Sequence, residues 1–435
     1  MDHLVSFLFF VEFSLVFICF LYNLFSVGFS FKLGITFGLL FFIFLPILVM
    51  IITGKIPLLI SGFGNTGITD VILKENIKSS LVLLLFIFSI IVYLYFPLIK
   101  IKKPLKTTFE PLISSYFYSY ALGTLIVFIG SGLFKGGNWY DNRHNFFESS
   151  GQLAVLIAFV LNSTKILIIA SLFYKWLKKD YTIIKFLCYT VLFVLFDMFI
   201  SGNRIYLFCT AIGICFIFLK RFPKKMLLLS PIFLPLIFFM GYFASIFKHI
   251  RGPLFEKGLP TYDIFKESLL RAISLEPPSS SFFLEISESI NVNVLYEIFN
   301  RYDNFLYGAT YIKPLFFYFP RSIWTSKPES ITIIAANNFG GASLVTTIIG
   351  EIYMNFYFFG VVILPFLLLF LDYIFSKSLR SFGNISGIIL FIFGILIFRM
   401  PFSDELLVFI FLLLILKGTK WLNEHNFTFK SLYEV

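Results

Sequence analysis

Three stretches far apart in the chain carry residue types that can handle an anion and a proton. Ser201-Gly202-Asn203-Arg204 places a guanidinium behind a glycine, which permits close backbone approach. Phe319-Pro320-Arg321-Ser322-Ile323-Trp324 holds a second arginine on a proline-braced turn, and Lys327-Pro328 follows it with another cation. Gly350-Glu351-Ile352-Tyr353-Met354-Asn355 supplies a carboxylate in apolar surroundings. A guanidinium grips phosphate through two parallel hydrogen bonds, whereas an ammonium is a point charge. Arg204, Arg321 and Lys327 together suit a ligand with several negative charges, such as a pyrophosphate. A carboxylate at Glu351 suits general-base work on a hydroxyl. Lys248 and Arg251, beside Gly252-Pro253, extend the same cationic rim. Tyr311, which closes the string Tyr307-Gly308-Ala309-Thr310-Tyr311, is a further candidate binding residue.

Each of these also has a plainer reading. Arg204 can snorkel from a helix end, and Lys248 and Arg251 can be interfacial. Glu351 fits a base and the partner of an arginine equally well. The aromatics Phe316, Phe317, Tyr318, Phe319 and Trp324 suit an interfacial belt that anchors the chain. Lys165, midway along an apolar run, must face a partner or a wet cavity. Asp197, near the end of its run, is a natural partner for Arg204.

The elements that position these residues are membrane spans. With 58% hydrophobic and 14% charged residues and a mean hydropathy of +0.90, the chain is far from a soluble domain, where roughly 25% of residues are charged. Runs near the ~20 residues that cross a bilayer occur at 4–27, 33–53, 79–99, 112–134, 150–174, 182–200, 204–219, 226–247, 344–371, 384–398 and 402–416. The expected fold is an all-α polytopic integral membrane protein. It has about 11 (10–12) spans in one membrane domain over 1–435, with one long loop at 248–343. That loop should contain two short surface helices, over Tyr262–Ile273 and Phe282–Tyr302.

The net charge of +11 does not indicate nucleic acid, because its distribution is that of a membrane protein. Lys100/Lys102/Lys103/Lys106, Lys175/Lys178/Lys179/Lys185, Lys220/Arg221/Lys224/Lys225, Lys377/Arg380 and Lys417/Lys420 all fall on one side of an eleven-span arrangement. Cations next to spans stay cytoplasmic. The N-terminus and the 248–343 loop are therefore expected outside, and the C-terminus inside. The first apolar run lacks a basic flank and a cleavage site, so it reads as a retained span.

Other chemistries find no support. Cys19, Cys188, Cys209 and Cys215 all lie within expected spans, and His3, His144, His249 and His425 are scattered, so no metal site or cofactor is expected. There is no P-loop, dinucleotide fingerprint or HExxH, and no repeat that would mark a secondary transporter. Nor is there a paired-aspartate motif to hold a metal on a nucleotide-sugar. Chemistry outside the membrane needs an activated donor already in the bilayer, and a lipid-linked pyrophosphate fits an arginine-rich, metal-free site.

The SGNR segment, the string YGATY followed by FPRSIWTSKP in a long external loop, and a GE-Y-N span start together resemble the Wzy-type O-antigen polymerases, or oligosaccharide repeat-unit polymerases. As architecture the resemblance covers most of the chain; as sequence it is confined to about 201–206, 307–328 and 349–355. It implies a class C glycosyltransferase-like fold in the bacterial inner membrane, with the active site facing the periplasm. The implied activity transfers a glycan from undecaprenyl pyrophosphate to the terminal sugar of another lipid-linked repeat unit. A chain-length regulator protein is a further implied partner. Arg204 and Arg321 match the family's arginine positions, and Arg251 is a less secure match. The rivals are a lipid-linked oligosaccharide flippase or transporter, and an O-antigen ligase. The long loop argues against the first. The lack of a counterpart to the ligases' loop histidine argues against the second.

The one-sided basic clusters make a topology test direct. Reporter tags inserted at 279–281 and placed after Val435 should register opposite compartments. Cytoplasmic labelling at 279–281 would end the idea of external chemistry.

Overall fold

The computed structural model describes residues 2–57, 68–96, 109–132, 142–143, 145–146, 151–201, 205–221, 242, 246–247, 250, 261–275, 289–317, 319, 323–325, 327–338 and 345–424. It is 83% helical. Among the described residues, seven helices are long and apolar enough to cross a membrane. They are Asp2–Val27, Phe31–Thr53, Ile77–Tyr95, Ile113–Gly130, Leu153–Leu177, Ile183–Ser201 and Thr347–Phe382. These establish an all-α, multi-pass membrane protein. Two further expected spans form the shorter apolar helices Ile205–Leu219 and Ile385–Leu396. The expected span 402–416 lies within the helix Phe402–Glu424, which carries Asp404 and Glu405 in its first turn. The expected span 226–247 lies outside the described residues, apart from Tyr242, Ile246 and Phe247.

The chain divides into two compact units, each drawn from distant parts of the sequence. The first comprises Met1–Lys102, Pro278–Lys377 and Leu390–Leu406. Its helices meet at glycines. A Cβ on Gly34 would stand 2.2 Å from the Phe391 carbonyl oxygen, and one on Gly394 would stand 2.4 Å from that of Phe31. Lipid tails are as apolar as leucine, so helices in a bilayer associate through such close packing rather than through a hydrophobic drive. Polar clasps supplement the packing. Lys32 Nζ donates to the carbonyls of Leu94 (3.2 Å) and Tyr93 (3.4 Å), occupying the free carbonyl end of the helix Ile77–Tyr95. The Tyr93 hydroxyl in turn donates to Asp372 Oδ2 at 3.0 Å.

The long loop contributes to this unit's core, which corrects one expectation. Of the second loop helix, expected over Phe282–Tyr302, the described residues form a helix at Ile290–Arg301, and 282–288 lie outside the described residues. It is buried along most of its length, including Val292, Val294, Leu295, Tyr296 and Ile298, instead of lying on a surface. Its alternation of apolar and polar residues suggested a wet face, but its polar residues turn inward, although Asn291 Nδ2 and Asn293 Oδ1 find no hydrogen-bond partner among the described residues. Asn293 Nδ2 donates to the Thr69 carbonyl (3.0 Å) and the Ile56 carbonyl (3.3 Å). Thr69 donates to Glu297 Oε1 at 3.1 Å, and Tyr296 and Ser80 share a hydrogen bond of 2.8 Å. These contacts tie the helix to the short antiparallel pair Lys55–Ile56 and Val71–Ile72 and to the start of the helix Ile77–Tyr95.

The second unit comprises Lys103–Pro277, Ser378–Ile389 and Leu407–Val435. Here the first loop helix appears as expected, over Tyr262–Leu275. Ile264, Phe265, Leu269 and Ala272 pack with Ile246, Ile250, Phe199 and Tyr242. Leu270 and Ile273 of the same helix are exposed. At one end of the unit Lys178 (3.1 Å) and Lys175 (3.6 Å) meet Glu110. The hydrogen bond from Lys178 and the charge of Lys175 hold this exposed carboxyl below its ordinary range.

The glycine contacts make a measurable demand on packing. Gly34→Val should lower the melting temperature and membrane abundance of the detergent-solubilised protein, because the branched side chain would have to displace backbone at a cost of at least ~1–3 kcal/mol. Gly418→Ala, whose Cβ would meet nothing within 4 Å, should be neutral. Equal melting of the two variants would remove the close-packing argument.

Candidate functional site

The first unit brings two of the three motif segments together. The short helix Thr347–Phe356 begins under strain, since Thr347 is β-branched and sits at φ 55°. Gly350 then lets the helix pack closely, because a Cβ there would stand 3.0 Å from both Ile298 Cδ1 and Leu295 Cδ2. Glu351 follows on the next residue and is fully buried. In the loop, Tyr307 (φ 46°) and Gly308 (φ 82°) take successive left-handed conformations. That turn starts the single-turn helix Ala309–Ile312. Phe356 lies 3.3 Å from where a Gly308 Cβ would be, so glycine meets both demands at this position.

The two segments are joined by hydrogen bonds between residues 41 apart in sequence. Thr310 Oγ1 donates to Glu351 Oε1 at 2.9 Å, and Asn355 Nδ2 donates to Thr310 Oγ1 at 2.8 Å. The other carboxylate oxygen, Oε2, accepts from the backbone N–H of Phe402 at 2.6 Å. Phe402 is the first residue of the helix Phe402–Glu424, so Glu351 also caps a helix start, where exposed N–H groups favour a carboxylate. The Leu306 N–H donates to the Met354 carbonyl (3.0 Å) and reinforces the junction. With both oxygens engaged and no exposure, Glu351 has the geometry of a clamp that holds the YGATY segment rather than that of a freely accessible base.

Tyr311 lies against this clamp. Its ring centroid is 4.9 Å from that of Phe402 and 5.6 Å from that of Phe356. Its hydroxyl is buried without a hydrogen-bond partner among the described residues. Lys327 donates to the carbonyls of Phe319 (2.8 Å) and Phe317 (2.9 Å), while Trp324 packs edge-on against Phe316 at 5.9 Å. Lys327 thus ties its own segment back to the backbone at Phe317 and Phe319. Arg321 itself, and Arg204, Arg251 and Lys248, lie outside the described residues. Among the described residues no group of three or more His, Cys, Asp or Glu is placed to hold a metal.

The second unit holds a separate buried polar cluster. Lys165 Nζ lies 2.8 Å from Asp197 Oδ1, which also accepts from the Tyr120 hydroxyl at 2.7 Å. The expectation that Lys165 must face a partner is met by Asp197, which the sequence had suggested for Arg204. Thr310, Asn355, Phe402 and Tyr120 were not legible as site residues. Thr310 and Asn355 stood inside quoted motifs. The Phe402 contact is made by a backbone N–H that no side-chain pattern reports.

The clamp has a stability signature. Thr310→Val should lower the melting temperature of the detergent-solubilised protein, since it leaves Asn355 and Glu351 short of a partner at about 1–3 kcal/mol per buried group. Thr310→Ser should melt close to the parent. If Thr310→Val were as stable as Thr310→Ser, the clamp would contribute nothing. No family model, curated protein or solved structure matches this chain, so the reading of the site rests on its own residues.

Proposed function

We propose that the protein is an O-antigen or related oligosaccharide repeat-unit polymerase acting on lipid-linked substrates at the external face of a bacterial inner membrane. The observation that carries this reading is the Thr310–Glu351–Asn355 network. It joins the YGATY and GE-Y-N segments, two of the three on which the resemblance rests. The reading includes the eleven-span arrangement, with 248–343 in the periplasm, and the class C glycosyltransferase-like fold.

In the proposed reaction, the bond between the donor sugar's anomeric carbon and the undecaprenyl pyrophosphate breaks. A bond from that carbon to a hydroxyl oxygen of the acceptor's terminal sugar forms. The hydroxyl proton passes to a base, and undecaprenyl pyrophosphate departs as an anion. Arg321 and Arg204 grip the pyrophosphate, with Arg251 and Lys248 on the same cationic rim. Fixed cations in a water-poor site stabilise charge on the departing group, an effect of a few kcal/mol per contact. Lys327 supports this through its hydrogen bonds to the Phe317 and Phe319 carbonyls, just before Arg321 in sequence. Glu351 supports it by holding the loop segment through Thr310. Other partners are membrane lipids and a chain-length regulator.

The test is the lipopolysaccharide ladder on a gel. Loss of the gene should leave core bearing a single repeat unit and remove long chains, whereas core with no unit at all would favour a flippase or a ligase. Arg321→Ala and Arg204→Ala should each abolish long chains at matched membrane abundance. Arg321→Lys should fail substantially, because a point charge cannot reproduce a planar bidentate grip. Lys417→Ala, at an exposed position on the opposite side in the expected topology, should be silent. A normal ladder from both arginine-to-alanine variants would refute the pyrophosphate grip.

A further inference from the structure

The junction that holds Glu351 leaves buried oxygens without partners. Glu405 is 1% exposed, and neither of its carboxylate oxygens meets a hydrogen-bond donor among the described residues. Asn355 is as deeply buried, and its Oδ1 has no partner there either. The Asn355 amide is oriented by its nitrogen, which donates to Thr310 Oγ1 (2.8 Å) and to the Glu351 carbonyl (2.8 Å). Its unpartnered oxygen therefore belongs to the group that adjoins the Thr310–Glu351 bond. Phe402 and Glu405 stand three apart in the first turn of their helix and share a face. The Phe402 N–H reaches Glu351 Oε2 at 2.6 Å, and Glu405 is near enough to Glu351 for their charges to repel. The Tyr311 hydroxyl, unpartnered too, also feels the Glu351 charge. We propose that Glu405, Glu351 and Asn355 Oδ1 bind one hard divalent cation, calcium by its chemistry, which locks this junction.

A buried carboxylate with no donor to accept from is among the costliest groups a protein can carry, and a bound cation removes that cost. Every atom on offer is an oxygen, which suits a hard cation rather than a soft transition metal. Glu351 and Glu405 bring two negative charges. Asp404 and Lys313, which also act on Glu351, are of opposite sign and offset one another. Calcium accepts carboxylate and amide oxygens in flexible arrangements, so two carboxylates and an amide make a sufficient nucleus. Magnesium holds its waters and demands near-octahedral surroundings, which a closed junction does not supply. Glu351 can keep its two hydrogen bonds, because each carboxylate oxygen has a second lone pair. The ion's role is to hold the YGATY segment against the helix Phe402–Glu424, and it does not rest on the polymerase reading.

The experiment uses the full-length protein in a non-ionic detergent, where no lipid headgroup competes for the ion. Millimolar calcium, compared with EGTA, should raise the melting temperature by about 5 °C. Magnesium at the same concentration should raise it less. Equilibrium dialysis with radioactive calcium should find a single bound ion per chain. Glu405→Gln should abolish both the shift and the bound ion, whereas Glu75→Gln, at an exposed position, should keep both. If Glu405→Gln fails to insert, Glu405→Asp keeps the charge but shortens its reach, and should weaken calcium binding by about tenfold or more. No shift with calcium would overturn the proposal and assign Glu405 a proton instead. A shift that survives Glu405→Gln would overturn it too, since the ion would then lie elsewhere. None of these measurements needs transferase activity, so a failure of the polymerase reading would leave the calcium result standing.

Discussion

The structure depends on one constraint: a polar group within hydrocarbon has no water to turn to and must find its partner inside the protein. Among the described residues a few compact clasps meet that demand, while other buried polar atoms, the Tyr311 hydroxyl among them, have no hydrogen-bond partner there. In the first unit, Lys32, Tyr93 and Asp372 form one, and Thr310, Glu351 and the Phe402 amide form another. In the second unit Lys165, Asp197 and Tyr120 form a third. The first two clasps join segments distant in sequence and the third joins helices that follow one another along the chain; each breaks an apolar pattern to do so. Close glycine contacts such as Gly34 with Gly394 bring backbones together. The clasps then select one register among the several that apolar packing would tolerate.

The same constraint explains how the long loop is built. A hydrophilic excursion draped over the membrane would expose its polar residues to water. Here the helix Ile290–Arg301 turns Asn293 and Glu297 inward onto backbone carbonyls and Thr69, and its apolar residues complete the core of the first unit. This part of the loop is therefore continuous with the helices of the first unit. YGATY is held against Glu351 by that continuity and by the two left-handed residues that open its turn. Strain at Thr347, one turn before Glu351, sits at the same junction, where the surrounding contacts can hold a β-branched residue at positive φ.

Much of this was open to sequence reasoning because the signals are local. Apolar runs report membrane helices directly: those near residues 4–27, 33–53, 79–99, 150–174 and 182–200 correspond to long apolar helices. The helix beginning at Tyr262 was expected within the long loop and is present over Tyr262–Leu275. Lys165 was legible as a residue in need of a partner, because a cation midway along a span is costly wherever it lies. Other features depend on where distant segments meet. Periodicity shows that Asn291, Asn293 and Glu297 share a polar pattern, but it cannot distinguish a face turned to water from one turned to backbone carbonyls. Likewise, Glu351 could be recognised as an isolated carboxylate, while its engagement by Thr310 and Phe402 depends on contacts 41 and 51 residues away. The sequence by itself determined that this is an apolar, helical chain with a few costly polar residues in its spans. Only the tertiary structure decided which of those residues satisfy one another, because a hydrogen bond is set by distance and angle in space and leaves no periodic mark along the chain.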